Sequence, residues 1–277
     1  MITYPFPPSV HAFSTTRQGG CSSGAYASLN CTPYTGDDPA SVRRNQELLL
    51  ERLSGCHRLV IPYQTHDTRC LPIDPAFLQL SAAEQQERLQ GVDALLTCEK
   101  NVCIAISTAD CVPLLLYDAA HGVVAAVHSG WRGTVKGILP QTLQLLQQQF
   151  GTCGSHLYAA IGPAISLEAF EVGPEVYQAF HDAGFPMDQL ARWKADSRHW
   201  HIDLPAACHY QLSLFGVPGH HIHQSGLCTY SQPETFFSAR RHGIHSGRIL
   251  SGIYLTSFGQ SPDLHYLCTL YQPKKQR

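Results

Sequence analysis

The stretch from residue 107 to residue 133, STADCVPLLLYDAAHGVVAAVHSGWRG, constrains the fold more than any other part of the chain. Two short apolar runs, VPLLLYD from Val112 and GVVAAVH from Gly122, are rich in Val and Leu, and the DAAHG segment from Asp118 separates them as a turn. A helix of this length would show a continuous 3.6-residue period, so the runs read as buried strands. Each carries a metal-competent side chain at one end, Cys111 ahead of the first and His128 closing the second. His128 leads into Ser129-Gly130-Trp131-Arg132-Gly133, a strand-to-helix turn whose two glycines permit positive φ and close approach of the backbone to a bound group. A strand end feeding a Gly-rich turn is where α/β enzymes place their chemistry.

The flanking sequence extends this pattern. Asp38-Pro39 ahead of ASVRRNQELLLERL is a helix start, because Asp38 can cap orphan N–H groups and Pro39 suits the first helical position. That helix is expected to end at Ser54-Gly55, with Arg43, Arg44, Glu47 and Glu51 pairing on a solvated face. RLVIPYQTH then reads as a strand ending at His66, and the polar segment 71–90 as surface containing one short helix, SAAEQQERLQ. After Gly133, TVKGILPQTLQLLQQQF keeps a helical period through Val135, Ile138, Leu139, Leu143, Leu146 and Phe150, with Pro140 inside it. An interior proline removes a hydrogen bond, so a bend or a break is expected near Ile138. PEVYQAFHDAG and LPAACHYQLSLFG read as helices, ETFFSARR as a helical turn, ILSGIYLTSF as a strand and QPKKQR as a solvated terminus. Between the two helices, 188–201 holds Trp193 and Trp200 without a clear period and reads as a flap or a variable insertion. The expected architecture is α/β (α+β): a single domain over 1–277 with a mixed β-sheet flanked by helices. Its strands are expected at 58–63, 93–98, 102–108, 112–117, 123–128 and 157–161.

Composition narrows the function classes. A chain of 277 residues buries an ample core without disulfide or metal staples. With 14% charged residues and a net charge of -2, it has neither the basic patch of a nucleic-acid binder nor an acidic tail. The N-terminal residues lack a basic and an apolar region, and no stretch approaches the ~18 apolar residues of a membrane span, so a cytoplasmic location is expected. None of the eleven cysteines forms a CxxC pair, which leaves no zinc ribbon and no thioredoxin-like motif. Cys98 and Cys103, in apolar runs, read as buried small hydrophobes. The sixteen histidines select no ligand by number alone.

TADCVP together with HSGWRG, preceded by Gln64-Thr65-His66, resembles the laccase-domain family, also described as YfiH-like or multicopper polyphenol oxidase-like proteins and as purine nucleoside phosphorylases. FSTTRQGG from Phe13, YASLN from Tyr26, GDDPASVRRN from Gly36, DALLT from Asp93, AAIGPAI from Ala159, FEVG from Phe170, Cys228-Thr229 and FFSARR from Phe236 extend the likeness over nearly the whole chain. The resemblance implies that His66, Cys111 and His128 bind one zinc or copper ion, and that Arg17 lies near the pocket. It also implies phosphorolysis of adenosine, inosine and methylthioadenosine, with phosphate as co-substrate. Two departures concern the pocket walls: Ala169-Phe170 stands where the family commonly has cysteine before Tyr-Glu-Val-Gly, and His242 follows the double arginine in place of an acidic residue.

Two histidines and one cysteine suit tetrahedral zinc and leave a fourth position for water or substrate, the pattern of a catalytic site. Such a metal acidifies water from a pKa of ~15.7 toward ~7, which makes adenosine deamination at C6 possible. The HxE and PCxxC signatures of nucleobase deaminases are absent, so another group moves the proton, with Asp110 and Asp93 as candidates. Either aspartate can equally be a strand-end residue bonding local N–H groups. Phosphate could be clamped by Arg17, Arg132, Arg240 or Arg241, with Arg132 strongest because its Gly-rich turn also offers backbone N–H groups. A copper-dependent polyphenol oxidase is the alternative, since His2Cys also suits copper. Against it, no HCH segment accompanies His199-Trp-His201 and His221-Ile-His223, which read as alternation along strands. A metal-free hydrolase or amidase, with Cys111 as nucleophile and His128 as base and with peptidoglycan precursors as the substrate the resemblance suggests, is a further alternative. A non-enzymatic binding module fits least, because the polar residues converge on a turn-lined site.

Overall fold

The computed structural model describes residues 1–257, so the QPKKQR tail and the last residue of the ILSGIYLTSF segment lie outside the described residues. Strands β1 (Ile2–Thr3) and β2 (Val10–Ser14) precede helix α1 (Pro39–Leu50), where Asp38 accepts from the Ser41 amide and Pro39 opens the first turn as expected. Next come β3 (Arg58–Val60), β4 (Cys70–Pro72), α2 (Pro75–Gln79) and α3 (Ala82–Arg88). The central strands follow as β5 (Ala94–Thr97), β6 (Val102–Thr108), β7 (Val112–Asp118) and β8 (Val123–Ser129). Helices α4 (Trp131–Lys136) and α5 (Ile138–Phe150) lead to β9 (Leu157–Ile161) and β10 (Glu171–Val172). The C-terminal part consists of α6 (Pro174–Asp182), α7 (Met187–Leu190), β11 (Ala191–Lys194), β12 (His199–Ile202), α8 (Leu204–Leu214), β13 (Ile222–Gln224), α9 (Ala239–His242) and β14 (Ile249–Leu255).

The α/β class is the expected one, but the strands divide between stacked sheets. One sheet runs β1-β2-β14-β6-β3, a second β13-β9-β7-β8-β5-β4, and β10-β12-β11 form a small third. Side-chain parity explains the stacking. On β6, Val102, Ile104 and Ile106 fill the layer between the two large sheets together with Leu95, Leu115, Val124 and Ala126. The alternate residues Cys103 and Ala105 face outward onto Leu49 and Leu53 beneath α1. Across the second sheet, Val123, Ala125 and Val127 meet Leu139, Leu143 and Leu146 of α5. Central strands buried on both faces carry no polar alternation, so their sequence cannot say which sheet they join.

Smaller differences have local causes. The strand expected at 58–63 stops at Val60, because Pro62 has no N–H to offer a ladder. His66 therefore sits on a loop, not at a strand end. The helix after Gly133 breaks, with Gly137 at φ 86 and ψ 37 between α4 and α5, and Pro140 falls in the first turn of α5 where its missing N–H has no helical partner to lose. Segment 188–201 is mostly ordered as the β11-β12 hairpin, with Trp193 paired to Trp200 and Trp200 stacked on Tyr177 at 4.2 Å. Among the described residues no helix is long and apolar enough to cross a membrane.

Candidate active site

The inter-sheet layer opens at one end, where β6 and β8 finish and β5 and β7 begin. Candidate site residues occupy the layer-facing positions of these strand ends. His128 continues the inward series of Val124 and Ala126, Thr108 that of Ile104 and Ile106, Asp93 lies two before Leu95, and Cys111 lies four before Leu115. Pairing fixes their register, because Pro113 lies opposite His128 and the His128 amide donates to the Asp93 carbonyl at 2.8 Å.

His66, Cys111 and His128 converge, each offering a ligand atom within 4.8 Å of the others. Cys111 Sγ lies 3.7 Å from His66 Nε2, and the two imidazoles meet edge to face at 4.8 Å. Exposure falls from His66 through half-buried Cys111 to buried His128, so the group forms a floor open on one side. Asp93, fully buried, organises it. Its Oδ2 accepts from the Thr65 and Asp67 amides at 3.0 Å each, while Oδ1 accepts from the His66 amide at 2.9 Å and from His128 Nδ1 at 2.7 Å. One carboxylate thus holds the loop in which His66 takes φ 61 and fixes His128 with its proton on Nδ1, leaving Nε2 free for a metal. Gly130 completes the cradle: a Cβ there would meet His66 Cδ2 at 2.8 Å and Cys111 Sγ at 2.9 Å. Of the two properties read from the sequence, positive φ and close approach, its φ of -75 shows that close approach is the one that demands glycine here.

Electrostatics agree with a ligand set. Burial pushes the Cys111 thiol up, but the neighbouring His128 charge and hydrogen bonds from His128 and His66 outweigh it and bring the pKa down to about 6. For His128, burial pulls down while Cys111 and Asp93 raise the pKa to about 9. Asp93 is pushed up by burial yet held below the usual carboxylate range by His128 and the loop amides. A thiolate beside two imidazoles, with a carboxylate behind one of them, fits zinc or copper.

This floor closes a cleft of about 440 Å³, within the roughly 300–1,000 Å³ typical of small-molecule sites. Tyr34 and Tyr63, edge to face at 4.8 Å, contribute to its wall together with Phe170, Asp110, Arg240 and Arg248. Of the four arginines expected at the substrate, the structure brings only Arg240 to the lining, 5.5 Å from the Phe170 ring and donating to the Glu171 carbonyl at 3.0 Å. Arg17 ties two loops together through the Ala27 and Pro233 carbonyls. Exposed Arg132 stacks on Trp131 at 4.3 Å, and Arg241 stacks on Tyr230 at 4.2 Å. Asp110, at φ 95, accepts from Thr229 Oγ1 and from the Arg240 amide, both at 2.7 Å, and so anchors α9 to the site. Arg248, missed in the sequence, donates to the Ser246, Gly247 and Ile244 carbonyls; burial lowers its pKa while Cys111 and Asp110 support its charge. Nothing local marks it, since an arginine ahead of an apolar strand reads as a solvated cation. The HxH histidines stay out of the cluster: His201 bonds the Leu167 carbonyl, and His221 the Leu157 carbonyl.

A family model described as multi-copper polyphenol oxidoreductase laccase matches residues 11–256. The chain belongs to this family. It is 53% identical over 248 residues to the purine nucleoside phosphorylase of Bacteroides thetaiotaomicron, covering 89% of this chain and 92% of that one. Adenosine deaminase RL5, from an unknown prokaryotic organism, is 41% identical over 246 residues, or 88% of this chain and 94% of that one. Among solved structures, the hypothetical protein YfiH of Bacillus licheniformis superposes with a TM-score of 0.83 at 29% identity, covering 89% of this chain and 93% of that one. The motifs that resemble the laccase-domain family thus belong to a chain of that family, with its mixed α/β fold.

Proposed function

We propose that this laccase-family chain is a purine nucleoside phosphorylase, acting on adenosine, inosine and methylthioadenosine, that also deaminates adenosine through zinc. The carrying observation is that one cleft joins the His66, Cys111 and His128 centre to two arginines, Arg240 and Arg248. The names of its relatives, a purine nucleoside phosphorylase and an adenosine deaminase, support the same pair of activities.

Each part of the cleft has a task. Arg240 and Arg248 hold phosphate through charge-assisted hydrogen bonds, so that one of its oxygens bonds to C1′ as the glycosidic bond breaks and the base leaves with a proton. Tyr34, Tyr63 and Phe170 offer flat apolar surface to the base. His66, Cys111 and His128 would hold the metal, with Asp93 keeping His128 in the ligating tautomer. Zinc held there would supply Lewis acidity and would lower the pKa of water from ~15.7 toward ~7. Asp110 acts by positioning Arg240, because its Oδ2 accepts from the Arg240 amide while its Oδ1 is fixed by Thr229.

Incubation with adenosine, with and without phosphate, tests this. Adenine and ribose 1-phosphate are expected only with phosphate, and inosine without it until the metal is removed. No product from adenosine, inosine or methylthioadenosine overturns the reading. A second reading rests on the lowered Cys111 pKa beside a raised His128, the pair a cysteine nucleophile needs. Elemental analysis after purification without a metal-affinity tag separates the two: about one zinc per chain is expected for the first. Activity restored by copper alone would favour polyphenol oxidation.

A further inference from the structure

Five buried side-chain polar atoms lack a hydrogen-bond partner among the described residues: Thr32 Oγ1, Thr108 Oγ1, Ser197 Oγ, His201 Nε2 and Gln211 Oε1. Buried polar groups are normally paired, so each such atom calls for a physical reason. Two of the five, Thr32 and Thr108, line the active-site cleft although they come from segments far apart in the chain.

Both threonines are held by stiff backbone. Thr108 ends β6 opposite Ile249, and the preceding Ser107 is clamped by Gln64, which accepts from its amide at 2.8 Å and donates to its carbonyl at 2.9 Å. Thr32 sits in a loop wound round buried Asn30, whose side chain accepts from the Thr32 amide and donates to its carbonyl, both at 3.4 Å. Asn30 is tied in turn to Asp37 at 2.9 Å. In each threonine the backbone polar groups are engaged and the hydroxyl is not. Both Oγ1 atoms are buried, so to meet a ligand each must exchange places with another Cβ substituent by rotation about χ1 between staggered wells.

Resting on the nucleoside reading above, we infer that Thr32 and Thr108 form a sugar subsite whose hydroxyls pair with the 2′- and 3′-hydroxyls of a ribonucleoside. The other parts of such a substrate have better partners. Phosphate is an anion and is served by the guanidinium groups of Arg240 and Arg248; the base is flat and is served by Tyr34, Tyr63 and Phe170. A hydroxyl both donates and accepts, which matches a neutral vicinal diol. A site built to bond a hydroxyl discriminates strongly against the analogue that lacks it, because its own polar groups are then left unpaired.

Equilibrium titration with adenosine and with 2′,3′-dideoxyadenosine tests the subsite in wild type, Thr32→Val, Thr108→Val and Thr108→Ser. Wild type should bind adenosine at least about tenfold more tightly than the dideoxy ligand. Each valine variant should lose about fivefold to tenfold for adenosine and change by less than about twofold for the dideoxy ligand. Thr108→Ser, which retains the hydroxyl, should keep the preference. The Tm of the valine variants should stay level or rise, since valine keeps the shape and removes an unpaired group. Equal losses for both ligands, no loss in either variant, or a fall in Tm on Thr→Val with the ligand preference intact would overturn the subsite. Binding and turnover fail separately. Adenosine bound with this preference but never split with phosphate sinks the phosphorylase reading and keeps the subsite; adenosine split with no diol preference sinks the subsite alone.

Discussion

Replacing Asp93 by Asn would test whether one buried carboxylate builds the metal centre. Four donors converge on it: the Thr65 and Asp67 amides on Oδ2, the His66 amide and His128 Nδ1 on Oδ1. An amide must present its NH2 to one of these pairs. If it faces Thr65 and Asp67, two N–H groups lose their acceptor; both residues are exposed, so water recovers part, and the cost is about 1 kcal/mol each. If it faces the other pair, His66 loses its acceptor and His128 must accept at Nδ1, which puts the imidazole proton on Nε2 and removes a ligand. The metal-free protein should therefore lose about 2 kcal/mol, or ~4–8 °C in Tm for a chain of this size, and metal affinity should fall about 10–100-fold. Calorimetry without metal, and competition against a chromophoric chelator, measure the two. The pH dependence gives a further check. Asp93 has a depressed pKa in the fold, so its stabilisation is complete above the unfolded value of about 4 and is lost as pH falls through the lower folded value. The gap between wild type and Asp93→Asn should accordingly narrow below pH ~4. An unchanged Tm together with unchanged metal affinity would refute the reasoning.

Three further outcomes follow from the same geometry. Gly130→Ala puts a Cβ 2.8 Å from His66 Cδ2 and 2.9 Å from Cys111 Sγ, so metal content by elemental analysis should drop at least about tenfold, with about 1–3 kcal/mol lost in urea unfolding. In metal-free protein, alkylation of Cys111 by iodoacetamide should rise with pH around a midpoint of about 6. His128→Gln, which removes the stabilising charge, should move that midpoint up toward ~8.5, and a wild-type midpoint already there would contradict the assignment. Arg240→Gln and Arg248→Gln should each raise the phosphate KM by about tenfold or more, whereas Arg132→Gln should change it by less than about twofold; the reverse ranking would return the clamp to the Gly130 turn.

How much of the fold could be read from sequence follows from where each residue's signal originates. The α1 cap at Asp38 and the strands β6, β7, β8 and β9 were legible because capping chemistry and apolar runs are local. Partition into two sheets was not, because β6 and β8 are apolar on both parities and either sheet could hold them. Strand β4 and helix α2 were missed inside a polar stretch, each too short for a periodic signal. Pro140 correctly signalled a helix interruption, but Gly137 in the left-handed region makes it.

The site divides in the same way. Cys111 and His128 stood out because both lie at ends of strong apolar runs, and His66 gained meaning only through its motif, since a loop residue at φ 61 carries no periodic cue. The arginines show the limit most clearly. Arg132 sits beside the ligand-bearing strand in sequence, yet the side chain follows α4 out to solvent and rests on Trp131. Arg248 is 137 positions beyond Cys111 by number, 248 minus 111, yet close enough for the cysteine to support its charge. What joins them is pairing: β14 lies against β6 with Ile249 opposite Thr108, so the residue before β14 is delivered to the same open end of the inter-sheet layer as the residues between β6 and β7. Antiparallel register across the five-stranded sheet, which no local window encodes, is therefore what brings the Arg248 cation and the candidate metal ligand Cys111 to one cleft.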